Sequence, residues 1–207
     1  MTAWRLTPGT ASELSTPEAV AERRRRLGEL HVAPLAELAA ALSRDGPVPM
    51  PDPSDGGVEA TMLFLLEKPG AGAATGFVSR DNPSGTSRAL RAMTAAAGID
   101  RAATLLWNAV PWWNGTPVVR RAELARGAQA LGALLPLMPR LAVVVTLGRT
   151  AERAWRLGGI AGLPAVACAH PSPQVRAAFP ERWAAIPSAF AEAARIARTR
   201  QPRRRPS

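Results

Sequence analysis

Apolar residues in this chain gather into four short runs, near positions 61–66, 104–110, 141–147 and 164–168. Each run is too short for a buried helix and reads as a buried strand. Between and after them, apolar positions recur at helical spacing near 84–97, 119–135, 149–157 and 180–198. Strands that alternate with helix-length crossovers predict a parallel sheet covered on both faces. The expected fold is therefore α/β: a three-layer α/β/α arrangement around a central, mainly parallel four-stranded sheet.

Upstream of these runs, residues 1–15 read as irregular. Thr16-Pro17-Glu18-Ala19 has Thr at an N-cap and Pro at the first helical position, so a helix is expected from there to about Leu30. A shorter helix is expected near 34–43. Positions 46–57 hold four prolines, three glycines and two aspartates, the composition of a loop or arm. The chain thus divides into a helical arm with its Pro/Asp/Gly-rich loop packed on the core (1–58), an α/β domain (59–200), and a basic tail (201–207) expected to be disordered.

Composition narrows the function classes. A chain of 207 residues, 47% of them apolar, suits one globular domain. No apolar stretch approaches the roughly 20 residues needed to span a bilayer, and no apolar leader opens the sequence, so a cytoplasmic protein is expected. The single cysteine, Cys168, excludes an internal disulfide and any four-cysteine metal or iron–sulfur site. Neither a metal nor a cofactor is expected. The net charge of +10 favours a polyanionic partner. Much of it lies in the arginines at 23–26, 198, 200 and 203–205, runs that read equally as solvated charge.

Two motifs carry candidate chemistry. Glu67-Lys68-Pro69-Gly70 follows the first apolar run, and His170-Pro171-Ser172-Pro173 follows the last. The strand ends of an open parallel sheet share the edge where ligands bind. A carboxylate, an ammonium and an imidazole are thereby expected to converge. Three further segments fall at the same edge: the polar loop 76–85 with Phe77, the strand end carrying Asn108 among apolar residues, and Thr146-Leu147-Gly148-Arg149. Glycines at 70, 72 and 76 miss the dinucleotide-binding spacing, and no ribose-binding acid follows about twenty residues on.

Taken in order, Glu67-Lys68-Pro69-Gly70, Phe77, Leu106-Trp107-Asn108 and His170-Pro171-Ser172-Pro173 resemble the uracil-DNA glycosylase superfamily over roughly residues 60–175. The His-Pro-Ser-Pro tetrad has the form of that superfamily's main branch, and Glu-x-Pro-Gly is similar to its iron–sulfur branch. The resemblance implies a monomeric DNA glycosylase that flips a nucleotide out of DNA and removes uracil or another deaminated base. It implies His170 as the donor to the base carbonyl, Asn108 as the reader of the base edge and Phe77 as the stacking ring, beside Pro69 and Gly70. It implies DNA contacts at Ser172 and at Val175 or Arg176, where the family has a wedging leucine. From its turn residues, the Asn82-Pro83-Ser84-Gly85 loop is expected to hold a phosphate of the DNA, at Ser84, or a water.

Cleaving an N-glycosidic bond builds positive charge on the sugar and negative charge on the departing base, so a carboxylate and a hydrogen-bond donor suit it. A carboxamide donates to uracil O4 and accepts from N3–H. Cytosine reverses both polarities and leaves buried groups unpaired, at about 1–3 kcal/mol each.

Lys68 is where the sequence departs from the family. It stands in place of the main branch's catalytic Asp and is the sole lysine. Three readings stay open: Glu67 takes the carboxylate role; Lys68 attacks as an amine nucleophile, adding lyase activity; or the protein binds nucleic acid without cleaving it. A hydrolase of free nucleosides is a further alternative at the level of the fold. Structural roles also stand beside the functional ones. Asn108 could satisfy a sheet edge, Phe77 could be core, His170 a turn residue, and Glu67 a partner of Arg80 or Arg149. Trp112 and Trp113 could be either a stacking platform or core.

Overall fold

The computed structural model describes residues 14–70 and 75–200. The irregular N-terminus expected at 1–15 falls mostly outside this range, as do the basic tail and part of the glycine loop. Thr16 opens helix α1 (Pro17–Arg25) by accepting a hydrogen bond from Ala19 N at 3.2 Å. The helix tightens into a 3-10 turn at Arg26–Gly28, short of the expected end. Helix α2 (Ala33–Leu42) and the short strand β1 (Met50–Pro51) follow.

The core then runs β2 (Met62–Leu66), β3 (Phe77–Val78), α3 (Gly85–Ala96), β4 (Thr104–Asn108), α4 (Arg121–Leu134), β5 (Val143–Leu147), α5 (Arg149–Leu157) and β6 (Ala165–Cys168). It closes with α6 (Pro173–Ala178), α7 (Pro180–Ala184) and α8 (Ile186–Arg200). Four strands form one sheet in the order β4-β2-β5-β6, every pair parallel. The fold is thus the expected α/β arrangement.

Side-chain alternation along the strands divides the core. Leu63, Leu65, Trp107 and Val144 face α2, α4 and α5, whereas Phe64, Leu106, Val143 and Val145 face α3 and α8. Each fully buried Leu, Val or Phe contributes about 1.5–3 kcal/mol. Phe64 meets Phe190 of α8 edge-on, with centroids 5.0 Å apart.

Three features differ from the pattern read in the sequence. The last apolar run was expected to be buried, but β6 is the sheet's edge, with Ala165 and Ala167 exposed. The expected helix over 180–198 is broken between Ala184 and Ile186, and α6 precedes it; Pro173 and Pro180 each sit in a first turn, where a proline starts a helix. Finally, β1 and β3 form a separate parallel pair, Met50 opposite Phe77.

A buried ionic network fastens α1 to this second pair. Arg23 reaches Asp52 at 2.5 Å and Asp81 at 3.2 Å. Arg101 bridges Asp52, Asp55 and Asp81 at 2.8, 2.9 and 2.7 Å. Arg80 lies 3.5 Å from Asp55, and Ser79 donates to Asp52. Burial pushes the Asp55 carboxyl up to about 6, against the pull of Arg80. Among the described residues, no helix is long and apolar enough to cross a membrane.

Candidate active site

The C-terminal ends of the four strands bring Asn108, Glu67, Gly148 and His170 to one edge. The chain leaving β4 runs beside that leaving β2, with Ala109 N donating to Leu66 O at 2.8 Å and Val110 N to Glu67 O at 2.9 Å. Across the sheet, Gly148 N donates to Cys168 O at 2.9 Å.

Glu67 turns its carboxylate to the start of α5, where Oε1 accepts from Thr150 N at 3.1 Å. The positive end of a helix suits an anion there. Gly148 makes the approach possible: at φ 96° it has no side chain, and a methyl group would stand 2.5 Å from Glu67 Oε1. Glu67 therefore takes neither Arg80 nor Arg149 as a partner. Arg80 is committed to Asp55, Thr94 and Thr104.

His170 follows β6 in a turn closed by Ser172 N donating to its carbonyl at 2.8 Å. Burial pushes the imidazole below the usual histidine range, and the nearby Glu67 charge opposes this. The ring is thus held neutral beside a carboxylate and keeps one N–H to donate.

Asn108 ends β4 opposite Leu66 and is only 6% exposed, yet no described residue hydrogen-bonds its side chain. Its amide keeps both donor and acceptor capacity. Phe77 is fully buried, belongs to neither core cluster described above, and sits in β3, which lies against β4. Asn82 buckles this segment: its Nδ2 donates to Phe77 O at 2.9 Å, while its Oδ1 accepts from Thr75 Oγ1 at 2.6 Å. Nothing in the sequence marks Thr75, and the Asn82-Pro83 step signals a turn but not this pair of hydrogen bonds.

Lys68 points elsewhere. Its Nζ meets Glu123 Oε1 at 2.8 Å, Asn114 Oδ1 at 2.6 Å and Val118 O at 3.2 Å, so all three ammonium protons have acceptors. Glu123 also accepts from Arg120 N at 3.0 Å at the start of α4. Burial works to raise the Glu123 pKa, but the Lys68 hydrogen bond and its other partners bring it below the usual range. Lys68 therefore ties the loop after β4 to α4. Trp112 is core, its Nε1 donating to Leu42 O at 2.6 Å.

Pro69 is buried and Gly70 exposed, next to the undescribed residues 71–74. Ser84 and Ser172 cap α3 and α6, accepting from Ser87 N at 3.1 Å and Val175 N at 3.3 Å. Their loops abut, for a methyl at Gly85 would stand 2.5 Å from Pro173 Cγ. Val175 packs half-buried on the α3/α8 core, whereas Arg176 is exposed with its guanidinium 5.9 Å from the Trp183 ring centroid.

The family model described as the Uracil DNA glycosylase superfamily matches residues 53–193. That span holds the whole four-stranded sheet and every site residue named above. A search of curated proteins found no match.

Proposed function

The chain belongs to the uracil DNA glycosylase superfamily, and we propose that it is a DNA glycosylase removing uracil or another deaminated base. The observation that carries this reading is the diversion of Lys68 to Glu123, 2.8 Å away. An ammonium beneath the reacting sugar would oppose its developing positive charge. With Lys68 engaged elsewhere, Glu67 is the carboxylate at that edge, and neutral His170 lies within its electrostatic reach.

In the proposed reaction the target nucleotide leaves the duplex, its base stacks on Phe77, and the Asn108 amide pairs with O4 and N3–H. The C1′–N bond breaks with its electron pair departing on the base. His170 donates its N–H to the base O2 and stabilises that charge, an effect worth roughly 10²–10³-fold for one such donor. Glu67 stabilises the sugar cation and orients the water whose oxygen bonds C1′. The water's proton passes to the carboxylate and on to solvent. Pro69 and Gly70 border the base, Ser84 and Ser172 stand at the phosphate rim, and exposed Arg176 suits the gap left in the stack better than half-buried Val175. The proposed setting is the cytoplasm, with the protein acting as a monomer.

The test is an oligonucleotide panel carrying uracil, hypoxanthine or xanthine, single-stranded and opposite each base, with and without alkali. Alkali-dependent scission is expected at one lesion, reduced roughly 10²–10⁴-fold by Glu67→Gln or His170→Ala and retained in Lys68→Met. Scission without alkali, trapped by borohydride and lost in Lys68→Met, would make the lysine a nucleophile instead. No scission of any member, with salt-sensitive binding intact, would leave a nucleic-acid-binding protein of the same fold.

A further inference from the structure

The exposed edge of the sheet carries a concavity next to the candidate site, sharing Gly148 with it. Beside β6, a cavity of about 270 Å³ is walled by Gly148, Arg149, Ala167, Cys168, Arg182 and Ala189, among others. Arg149 comes from the first turn of α5, on one face of the sheet. Arg182 comes from α7, which leads into α8 on the other. Both arginines are exposed, and neither forms an ion pair with a described residue. Glu152, an acid on the wall, is already engaged with Arg156 at 2.6 Å. Burial pushes the Cys168 thiol up to about 12, so the cavity offers no thiolate chemistry.

Two guanidiniums without a carboxylate partner among the described residues suit a phosphate, which arginine binds with a planar fork of donors. The volume falls just below the ~300–1,000 Å³ of small-molecule sites, so a phosphate with its sugar fits better than a whole cofactor. The Arg182 guanidinium also lies over the Phe179 ring, 5.5 Å from its centroid, and Phe179 is 52% exposed as a residue, so a base could stack there. Phe179 directly follows α6, and the six residues of that helix separate it from the His170 turn. Six helical residues span roughly 9 Å, or two to three steps of about 3.4 Å along a DNA strand.

We propose that Arg149, Arg182 and Phe179 form a flanking-nucleotide site, the arginines taking a DNA phosphodiester and Phe179 stacking the attached base. The choice of DNA as occupant rests on the glycosylase reading above. The target nucleotide and one a few steps away are then gripped together.

Fluorescence anisotropy with a short labelled oligonucleotide, titrated over a series of NaCl concentrations, tests this. Arg149→Ala/Arg182→Ala is expected to reduce the slope of log affinity against log salt by about 0.7–0.9, the counterion release of one phosphate contact. Phe179→Ala is expected to weaken binding roughly 5- to 150-fold without changing that slope. Arg140→Ala, paired with Glu59 at the opposite end of the sheet, is expected to change neither. Melting curves establish that the variants are folded. If the wild type binds DNA and the double variant matches it in slope and affinity, the site is overturned and the glycosylase reading stands. If the wild type shows no salt-dependent DNA binding, both fall. If a free deoxynucleoside monophosphate binds through these arginines while the DNA slope is unmoved, the site serves free nucleotides and the strand assignment is overturned.

Discussion

Glu67 Oε1 and Thr150 N are joined by a 3.1 Å hydrogen bond that makes the end of β2 and the start of α5 one unit. Gly148 lies between them at φ 96° and ψ 167°, a region that only glycine occupies readily. Gly148→Ala is expected to strain the backbone by about 1–3 kcal/mol and to push Glu67 from its hydrogen bond. Urea unfolding and the glycosylase rate should both fall; an unchanged rate would separate Glu67 from the chemistry.

Asn108 separates stability from activity. Its side chain bonds no described residue, and its amide atoms are not among the buried ones left without a partner, so little folding energy rests on them either way. Asn108→Leu is therefore expected to leave the melting temperature near that of the wild type while removing base-dependent cleavage. A melting temperature well below the wild type would reveal a structural role for the amide.

Lys68→Met should destabilise the fold without impairing the chemistry. It leaves Glu123 beside Asn114 and Arg120 N with its main cation gone. Because the Glu123 side chain is 17% exposed, the loss should fall toward the lower end of the roughly 3–5 kcal/mol seen for fully buried pairs. Denaturation gives the loss, and the rate per folded molecule should match the wild type.

His170 and Asp55 should give pH dependences of opposite sign. Burial lowers the folded-state pKa of His170. Below an unfolded value of about 6.5 the unfolded chain binds a proton that the folded chain resists. Its contribution is thus full above that pH and lost as pH falls, and cleavage that needs a neutral imidazole should decline on the same side. Asp55, raised to about 6, contributes fully below its unfolded pKa and loses that contribution as pH rises through about 6. Across this window His170→Asn should make unfolding free energy climb less steeply with pH than in the wild type, and Asp55→Asn should make it climb more steeply. Parallel curves for all three proteins would contradict both assignments.

The central strands were legible because Leu63, Leu65, Val143 and Val145 face helices on one side or the other, so each run is apolar throughout. The same signal misplaced β6, since Ala-Val-Ala-Cys reads alike at the centre of a sheet and at its edge. The β1–β3 pair is two residues long, below any periodicity. Glu67, Asn108 and His170 could be found because strand ends in a parallel sheet meet by rule. The partner of Lys68 could not, for Glu123 lies 55 positions away on a helix whose facing side the sequence does not announce. Asp52 and Asp55 read as loop residues among prolines; that they are buried counter-ions depends on Arg23 and Arg101, from distant segments.

The centre of that ionic network carries little net charge. Asp52, Asp55 and Asp81 are met by Arg23, Arg80, Arg91 and Arg101, so nearly all of the formal surplus of +10 lies outside it. Charge so placed acts at a distance, over a screening length of about 8 Å at physiological ionic strength. It draws a polyanion in before any contact forms and raises the frequency of productive encounters. Added salt would then slow arrival as well as shorten residence.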